Sequence, residues 1–117
     1  MNLLKEKVLQ EKQQIVEEIK DKVNNAQSVV LVDYRGLKVD ELTELRRQYR
    51  EAGVDYKVYK NTMMRFAFKE AGFEEFNEYL VGPNAVAFGM DDPVQAAKIT
   101  DEFAKEHKSL EIKAGIV

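Results

Sequence analysis

Apolar residues in the first quarter of the chain recur first at the period of a helix and then as an unbroken run. Between about Lys5 and Asn24 the apolar positions lie near one helical face, which predicts a long amphipathic helix packed on the rest of the domain. These positions are Val8, Ile15, Val16, Ile19 and Val23. The β-branched run at 29–34 has the length and apolarity of a central strand buried on both faces.

Beyond residue 34 the pattern predicts alternating helices and strands. Glycine, proline and asparagine separate these segments, as is typical of turns and helix ends. The predicted elements are a helix packed by Val39, Leu42, Leu45 and Tyr49 and capped at Gly53, an alternating strand at 54–59, a helix from an N-cap at Asn61 to Ala71, a small acidic helix at 74–80, a strand at 84–89, a helix from Asp92-Pro93 to about Lys108, and an alternating strand at 110–117.

This order of elements contains two βαβ units after the first helix. Two such units most economically form an α+β fold of the ferredoxin-like kind, with an antiparallel four-stranded sheet and both long crossover helices on one face. The first helix is an addition to that fold, and the short acidic helix is an insertion between its halves. A parallel, flavodoxin-like sheet is the alternative, which the absence of a glycine-rich phosphate loop disfavours. The antiparallel fold requires that the strand at 85–88 is not parallel to all three others.

Composition limits the classes of protein that the chain can represent. The 117 residues are 44% hydrophobic and 33% charged, which is typical of one folded domain with a strongly solvated surface. The sequence contains no cysteine, so disulfides, thiolate metal sites and cysteine nucleophiles are excluded. No apolar run approaches the ~20 residues of a membrane span, and we expect a cytoplasmic protein that does not enter a membrane.

Charge is distributed unevenly along the chain, whose net charge is −3. Residues 33–69 hold nine cations and six anions, whereas residues 70–117 hold four cations and ten anions. Within the basic part, residues 56–69 carry four cations and no carboxylate, and aromatic residues lie between them. An acid-free segment of this kind in an acidic protein indicates contact with an anion, and a nucleic-acid backbone fits it best.

Six short motifs carry a resemblance to a known family. They are VDYRGL at 32–37, ELTELRR at 41–47, EAGV at 51–54, YKVYKNT at 56–62, GPNAVAF at 82–88 and LEIKAG at 110–115. In this order they resemble the bacterial ribosomal protein family L-ten, the base of the large-subunit stalk, over essentially the whole chain from Lys5. Lys38 and Asn84 depart from the family pattern, where a small hydroxyl residue and threonine are common.

The resemblance implies that residues 1–117 are one N-terminal domain that binds large-subunit rRNA beside ribosomal protein eleven. In the family a C-terminal helical region, beyond such a domain, binds dimers of the acidic stalk protein that recruit translational GTPases. The sequence ends before such a helix, so we expect rRNA binding here and stalk-dimer binding only in the full-length protein.

The candidate rRNA-binding residues lie at the ends of predicted strands and at the start of a helix. Lys57, Lys60 and Arg65 can neutralise phosphates. The free amides of Asn61, Thr62 and Met63 at a helix N-terminus add an uncharged anion cradle. Arg35 can fork onto a phosphate or stack on a base, and Gly36 permits close approach of the backbone. The full candidate set is Tyr34, Arg35, Gly36, Lys57, Lys60, Asn61, Thr62, Arg65, Pro83 and Asn84.

Several neighbouring residues have a structural interpretation instead. Tyr56, Val58, Met64 and Phe66 are assigned to the core, whereas Tyr59 is left open between surface stacking and packing at the sheet edge. Three arginines at 46, 47 and 50 lie among glutamates, which favours pairing within their helix over contact with RNA. The single histidine, at 107, is expected to be solvated at a helix end.

Two other classes of function are considered. An arginine after the first strand and an asparagine elsewhere would suit an acylphosphatase-like enzyme, but Leu37 and Lys38 stand where that class has a glycine-rich cradle. The sequence shows no catalytic or metal-binding cluster with recognisable spacing, so neither an enzyme nor a cofactor is expected. The third class is a protein interaction module that uses the first helix.

Overall fold

The computed structural model describes residues 3–116, and within them the side chains of 3–5, 8 and 116 are not described. The predicted packing of Val8 and the end of the last strand at Val117 therefore lie outside the described residues. The elements are α1 (Leu3–Asn25), β1 (Ser28–Asp33), α2 (Val39–Glu51), β2 (Val54–Lys57), α3 (Asn61–Glu70), a 3-10 helix (Glu74–Tyr79), β3 (Ala85–Gly89), α4 (Gln95–Glu106) and β4 (Glu111–Ile116).

The four strands form one sheet in the order β2-β3-β1-β4, and every neighbouring pair is antiparallel. Each half of the chain contributes two strands that are separated by a strand of the other half, which is the interleaving of two split βαβ units. The strand β3 runs antiparallel to both β1 and β2. The predicted α+β fold with an antiparallel four-stranded sheet is therefore confirmed, and the parallel alternative is wrong.

The sheet separates two apolar cores. All six residues of β1 are buried, as the unbroken apolar run predicts. Val29 and Leu31 face a core shared with α1 and α3, whereas Val30 and Val32 face a core shared with α2 and α4. The four central residues of this strand are all apolar, because alternate side chains point to opposite buried faces, and its two ends are the buried polar residues Ser28 and Asp33.

Among the side chains of α1 that the structure describes, those packed on the apolar core lie in the second half of the helix. Ile19 and Val23 are buried and Ile15 and Val16 are partly buried against the core, while residues 9–14 are exposed. A salt bridge of 2.7 Å between Lys22 Nζ and Asp55 Oδ2 joins this half of α1 to β2. The helix is thus anchored across the face of the sheet that α2 and α4 leave free.

Some predicted core positions are exposed, because a strand ends earlier than the pattern suggests or because the residue lies on a part of its helix that does not face the core. Val39, at the first residue of α2, is 85% exposed, although Leu45 and Tyr49 of the same stripe are fully buried. β2 ends at Lys57, so the alternation stops there and Val58 is 48% exposed. The buried face of α3 is formed by residues 63, 64, 67 and 68, which turns Phe66 outwards at 64% exposure. The core assignments of Val39, Val58 and Phe66 are wrong.

Two helix starts and one side chain also differ from expectation. α3 has Lys60 as its N-cap, so Asn61 is its first helical residue rather than the cap. Asp92 Oδ1 accepts a hydrogen bond from the Val94 amide, and this turn delays the start of α4 to Gln95. His107 is not simply solvated, because its ring stacks on Phe103 and its Nε2 lies 3.4 Å from Glu41 Oε2.

Candidate nucleic-acid interface

Three separate segments of the candidate site meet at one end of the sheet. Val32 pairs with Ala85 and Lys57 pairs with Val86, so β1 and β2 end where β3 begins. The segments next to these strand ends are residues 34–36, 57–62 and 83–84. Antiparallel pairing brings all three segments to the same end of the sheet, which we call the Arg35 end.

Asp33 binds the backbone amide and one guanidinium nitrogen of Arg35, and the rest of the Arg35 side chain is exposed. The buried carboxylate of Asp33 accepts a hydrogen bond of 2.9 Å from the Arg35 amide and one of 3.1 Å from its Nη2. The Arg35 side chain is nevertheless 70% exposed. A guanidinium has five N–H donors, so this contact orients Arg35 and leaves donors for a second anion.

The neighbours of Arg35 are constrained by packing. Tyr34 is half-buried against the core under α2 and α4, so its ring is not free on the surface. A Cβ on Gly36 would lie 2.7 Å from Ser109 Cβ, which means that the loop after β1 touches the turn before β4. The close approach that glycine permits at position 36 is therefore an approach to Ser109.

Side-chain amides close the loop that leads into β3. Asn61 Nδ2 donates to the carbonyl of Gly82 at 2.8 Å, and Asn84 Nδ2 donates to the same carbonyl at 3.0 Å and to Asn61 Oδ1 at 3.1 Å. Asn84 is 2% exposed, and Pro83 beside it is half-buried. These residues fix the shape of the Arg35 end, and Asn84 has almost no surface to offer a ligand.

Two cations hold the same loop from either side. Arg65 Nη2 donates to the Leu80 carbonyl at 2.7 Å, and Lys113 Nζ donates to the Val81 carbonyl at 2.7 Å. Arg65 is otherwise exposed, so part of its guanidinium remains available. Lys113 is a residue that the sequence pattern missed, because only the pairing of β4 with β1 brings it near this loop.

Lys57, Lys60 and Thr62 are the freely exposed members of the candidate set beside Arg35. Lys57 ends β2, Lys60 caps α3 and Thr62 lies in its first turn. The amides of Met63 and Met64 donate to the Lys60 carbonyl, whereas those of Asn61 and Thr62 have no acceptor among residues 3–116. The predicted anion cradle therefore has two free amides, those of Asn61 and Thr62, because the amide of Met63 is bonded to Lys60.

Tyr59 packs at the edge of the sheet. Its hydroxyl donates to Glu18 Oε2 and accepts from Lys22 Nζ at 3.3 Å, so it is fastened to α1. Burial first and then the Glu18 hydrogen bond raise the pKa of Tyr59. The open choice between stacking and packing is thereby resolved in favour of packing.

The three arginines of α2 do not behave alike. Arg47 pairs with Glu44 and, at 2.7 Å, with Glu51, as predicted. Arg46 lies over the ring of Tyr56 at 5.7 Å, and neither it nor Arg50 has a carboxylate partner among the described side chains. The prediction of intrahelical pairing is right for Arg47 and wrong for Arg46 and Arg50, since glutamates stand three and four residues away only from Arg47.

The enzyme alternative finds no support in this geometry. The Asn61 amide, which would have to orient a water, is engaged with Gly82 and Asn84. Across the described residues there is no group of three or more His, Asp or Glu side chains that could hold a metal ion. No helix within residues 3–116 is long and apolar enough to cross a membrane.

The described residues form a small α+β domain with exposed cations at the Arg35 end, and comparison with known proteins gives its class. The sequence model of the family Ribosomal protein L10 matches residues 7–105. The chain belongs to this family of ribosomal proteins, which is structural and not enzymatic.

Curated relatives agree with the family. The chain is 63% identical over 112 residues to Large ribosomal subunit protein uL10 of Finegoldia magna, covering 96% of this chain and 62% of the relative. It is 59% identical over 111 residues to the protein of the same name from Alkaliphilus metalliredigens, covering 95% and 67%. The chain thus spans about two thirds of the length of these relatives. Their names agree with the expected location on cytoplasmic ribosomes.

Proposed function

We propose that this chain binds large-subunit rRNA through the Arg35 end of its sheet and forms part of the base of the ribosomal stalk. The contacting residues are Arg35, Lys57, Lys60, Thr62 and the free part of Arg65. Tyr34, Gly36, Asn61, Pro83 and Asn84 belong to the same site as residues that shape it. Ribosomal protein eleven is the proposed neighbour on the ribosome.

The main observation behind the proposal is that three polar segments, far apart in the sequence, meet at the Arg35 end of the sheet. Lys57 and Lys60 come from a segment without carboxylates, and Arg35 is oriented by Asp33 yet exposed. Such cations and backbone amides contact phosphates and so position RNA without reading its sequence. Membership of a ribosomal protein family supports rRNA as the polyanion.

Stalk assembly is proposed only for full-length relatives. The chain spans 62% of the Finegoldia magna protein, so a substantial part of that relative has no counterpart in these 117 residues. We assign rRNA binding to the chain and the binding of acidic stalk dimers to the remainder of full-length family members.

Titration of the chain against the stalk-base fragment of large-subunit rRNA over a series of salt concentrations tests the proposal. If three to five phosphates are neutralised, log affinity falls against log salt with a slope of about −2 to −4.5. Replacing Arg35 and Lys60 together by alanine makes the slope shallower by about 1.4 to 1.8, since two contacts are lost.

A second double variant, Arg47→Ala with Lys69→Ala, removes the same charge from elsewhere on the surface. Arg47 is paired with carboxylates of its own helix, and Lys69 stands in the last turn of α3, away from the Arg35 end. We expect this control to keep the affinity and slope of the parent chain. Equal losses in both double variants, or binding that is absent or independent of salt, would contradict the proposal.

A further inference from the structure

A basic cavity lies along the free edge of β2. Its volume is 360 Å³, and it is lined by Arg46, Arg50, Gly53, Val54, Asp55, Tyr56 and Lys57. β2 is the outermost strand of the sheet, so within residues 3–116 one side of its backbone has no partner strand. Three of the lining side chains are cations, and two of them come from α2.

The positions of Arg46 and Arg50 lower the stability of α2. Arg46 and Arg50 are four residues apart, so they lie next to each other on one face of α2, where like charges destabilise a helix. The adjacent Arg47 shows the usual solution, since Glu44 and Glu51 neutralise it. Arg46 instead lies over the ring of Tyr56, 5.7 Å from its centroid, which holds the guanidinium at the cavity.

The carboxylates near the cavity do not neutralise these cations. Asp55 is paired at 2.7 Å with Lys22, which belongs to α1 on the other face of the sheet. Asp91 approaches the cavity at Gly53, where its Oδ2 would lie 2.7 Å from an added Cβ. Gly53 precedes β2 and Lys57 ends it, so Asp91 stands at the end of the strand remote from the Arg35 end.

We propose that this cavity, the β2 edge site formed by Arg46, Arg50, Tyr56 and Lys57, binds phosphates of the RNA backbone. The inference rests on the proposed rRNA binding and extends it, because Lys57 belongs to both surfaces. An RNA strand that crosses the Arg35 end continues past Lys57 to Arg50 and Arg46. Planar guanidinium groups match the oxygens of a phosphate, and Arg46 is already ordered by its ring contact.

An acidic peptide added as a fifth strand is the competing occupant. β2 contains only four residues, Val54–Lys57, which gives few main-chain hydrogen bonds for strand addition. Discrete, unpaired arginines on a neighbouring helix suit separate phosphates better than a continuous strand. RNA is therefore the occupant that the cavity favours.

The test compares Arg46→Ala with Arg50→Ala, made together, against the parent chain in salt titrations with the stalk-base rRNA fragment. We expect roughly tenfold weaker binding at low salt and a slope shallower by about 1.4 to 1.8. Arg47→Ala with Lys69→Ala, which also removes two cations, is the matched control and keeps the parent slope, because Arg47 is already neutralised by glutamates and Lys69 does not line the cavity. Thermal melting followed by circular dichroism shows that each variant is folded.

If the alanine pair does not fold, glutamine at both positions removes the charges and keeps most of the length of each side chain. Parental affinity and slope in the folded double variant overturn the inference, whether or not an acidic peptide binds the edge. If the parent chain fails to bind the fragment at all, the proposed function falls with it. Loss of binding on replacing Arg35 and Lys60, without loss on replacing Arg46 and Arg50, overturns only the β2 edge site.

Discussion

The hydroxyl of Tyr49 donates a hydrogen bond to the hydroxyl of Thr100 between α2 and α4. The direction follows from the second bond of Thr100, whose hydroxyl donates to the Ala96 carbonyl at 2.7 Å. Both residues are fully buried, and Tyr49 also stacks on Tyr56 with ring centroids 5.5 Å apart. This polar contact thus joins the two crossover helices inside the core.

Thr100→Val is expected to destabilise the domain more than Tyr49→Phe. Valine leaves the Tyr49 hydroxyl buried without an acceptor, which costs about 1–3 kcal/mol. Phenylalanine removes that donor altogether, and Thr100 keeps its bond to Ala96, so the loss is about 1 kcal/mol. Urea unfolding of both single variants and of the double variant measures the difference. Equal losses in the two single variants would contradict the assigned direction of the bond.

Stability is expected to fall in alkaline solution between pH 10 and pH 12. Burial raises the pKa of Tyr49 from 10.0 to about 12. Below pH 10 both the folded and the unfolded chain hold this proton, so the stability contribution is complete there. Between the two pKa values only the unfolded chain releases the proton, and stability declines by up to about 2 kcal/mol.

The measurement for this pH dependence is urea unfolding at successive pH values, with tyrosinate absorbance followed in parallel. Tyr49→Phe removes the contribution of this residue and flattens part of the decline. Burial also raises the pKa of Tyr56 to about 12, so a smaller decline remains in the variant. An unchanged profile in Tyr49→Phe would exclude the buried phenol as a cause.

Gly36→Ala is expected to destabilise the domain by about 1–3 kcal/mol, the usual effect of overpacking. The new Cβ would lie 2.7 Å from Ser109 Cβ and 3.1 Å from Ser109 Oγ. Ser109→Gly in the same chain removes both atoms and restores most of the stability. A double-mutant cycle of denaturation curves measures this coupling, and additive losses would show that the clash is elsewhere.

Asn84→Ala is expected to lower both stability and rRNA affinity, whereas Thr62→Ala lowers affinity alone. Asn84 is buried and donates to Asn61 Oδ1, so its loss leaves this oxygen unpaired at a cost of about 1–3 kcal/mol, while the Gly82 carbonyl keeps its bond from Asn61 Nδ2. Thr62 is exposed beside it in the Arg35 end, and its loss should change stability by less than about 0.5 kcal/mol. Thermal melting and rRNA titration of each variant separate the loop-forming role from the contacting role.

The sequence predicts those parts of the fold in which one local pattern decides the outcome. β1 is predictable because an unbroken apolar run has only one favourable environment, burial on both faces. The exposure of Phe66 is not predictable from the sequence, because it depends on which face of α3 is covered by α1 and the sheet. The hydrogen bond from Lys113 to the Val81 carbonyl is also not predictable from the sequence, since the two residues meet only in the tertiary structure.

The candidate site shows the same division. The residue types at 35, 57 and 60 indicate anion binding from sequence, but their convergence follows only from the antiparallel order of strands. The difference between Arg47 and its neighbours Arg46 and Arg50 could have been read from the positions of the glutamates. The contact between Arg46 and Tyr56, which turns that arginine to the sheet edge, required the packing of α2 on β2.

The strand order has a consequence for how the chain can be divided. In the part of the chain that the structure describes, β1 and β2 form ladders only with β3 and β4, so neither half contains a strand pair of its own. A cut in the segment between the 3-10 helix and β3 would yield two fragments that are each unfolded alone. When the fragments are mixed, they can form the sheet only by associating, so the fraction that folds would depend on fragment concentration. Folding of the mixture would therefore measure the stability of the whole sheet.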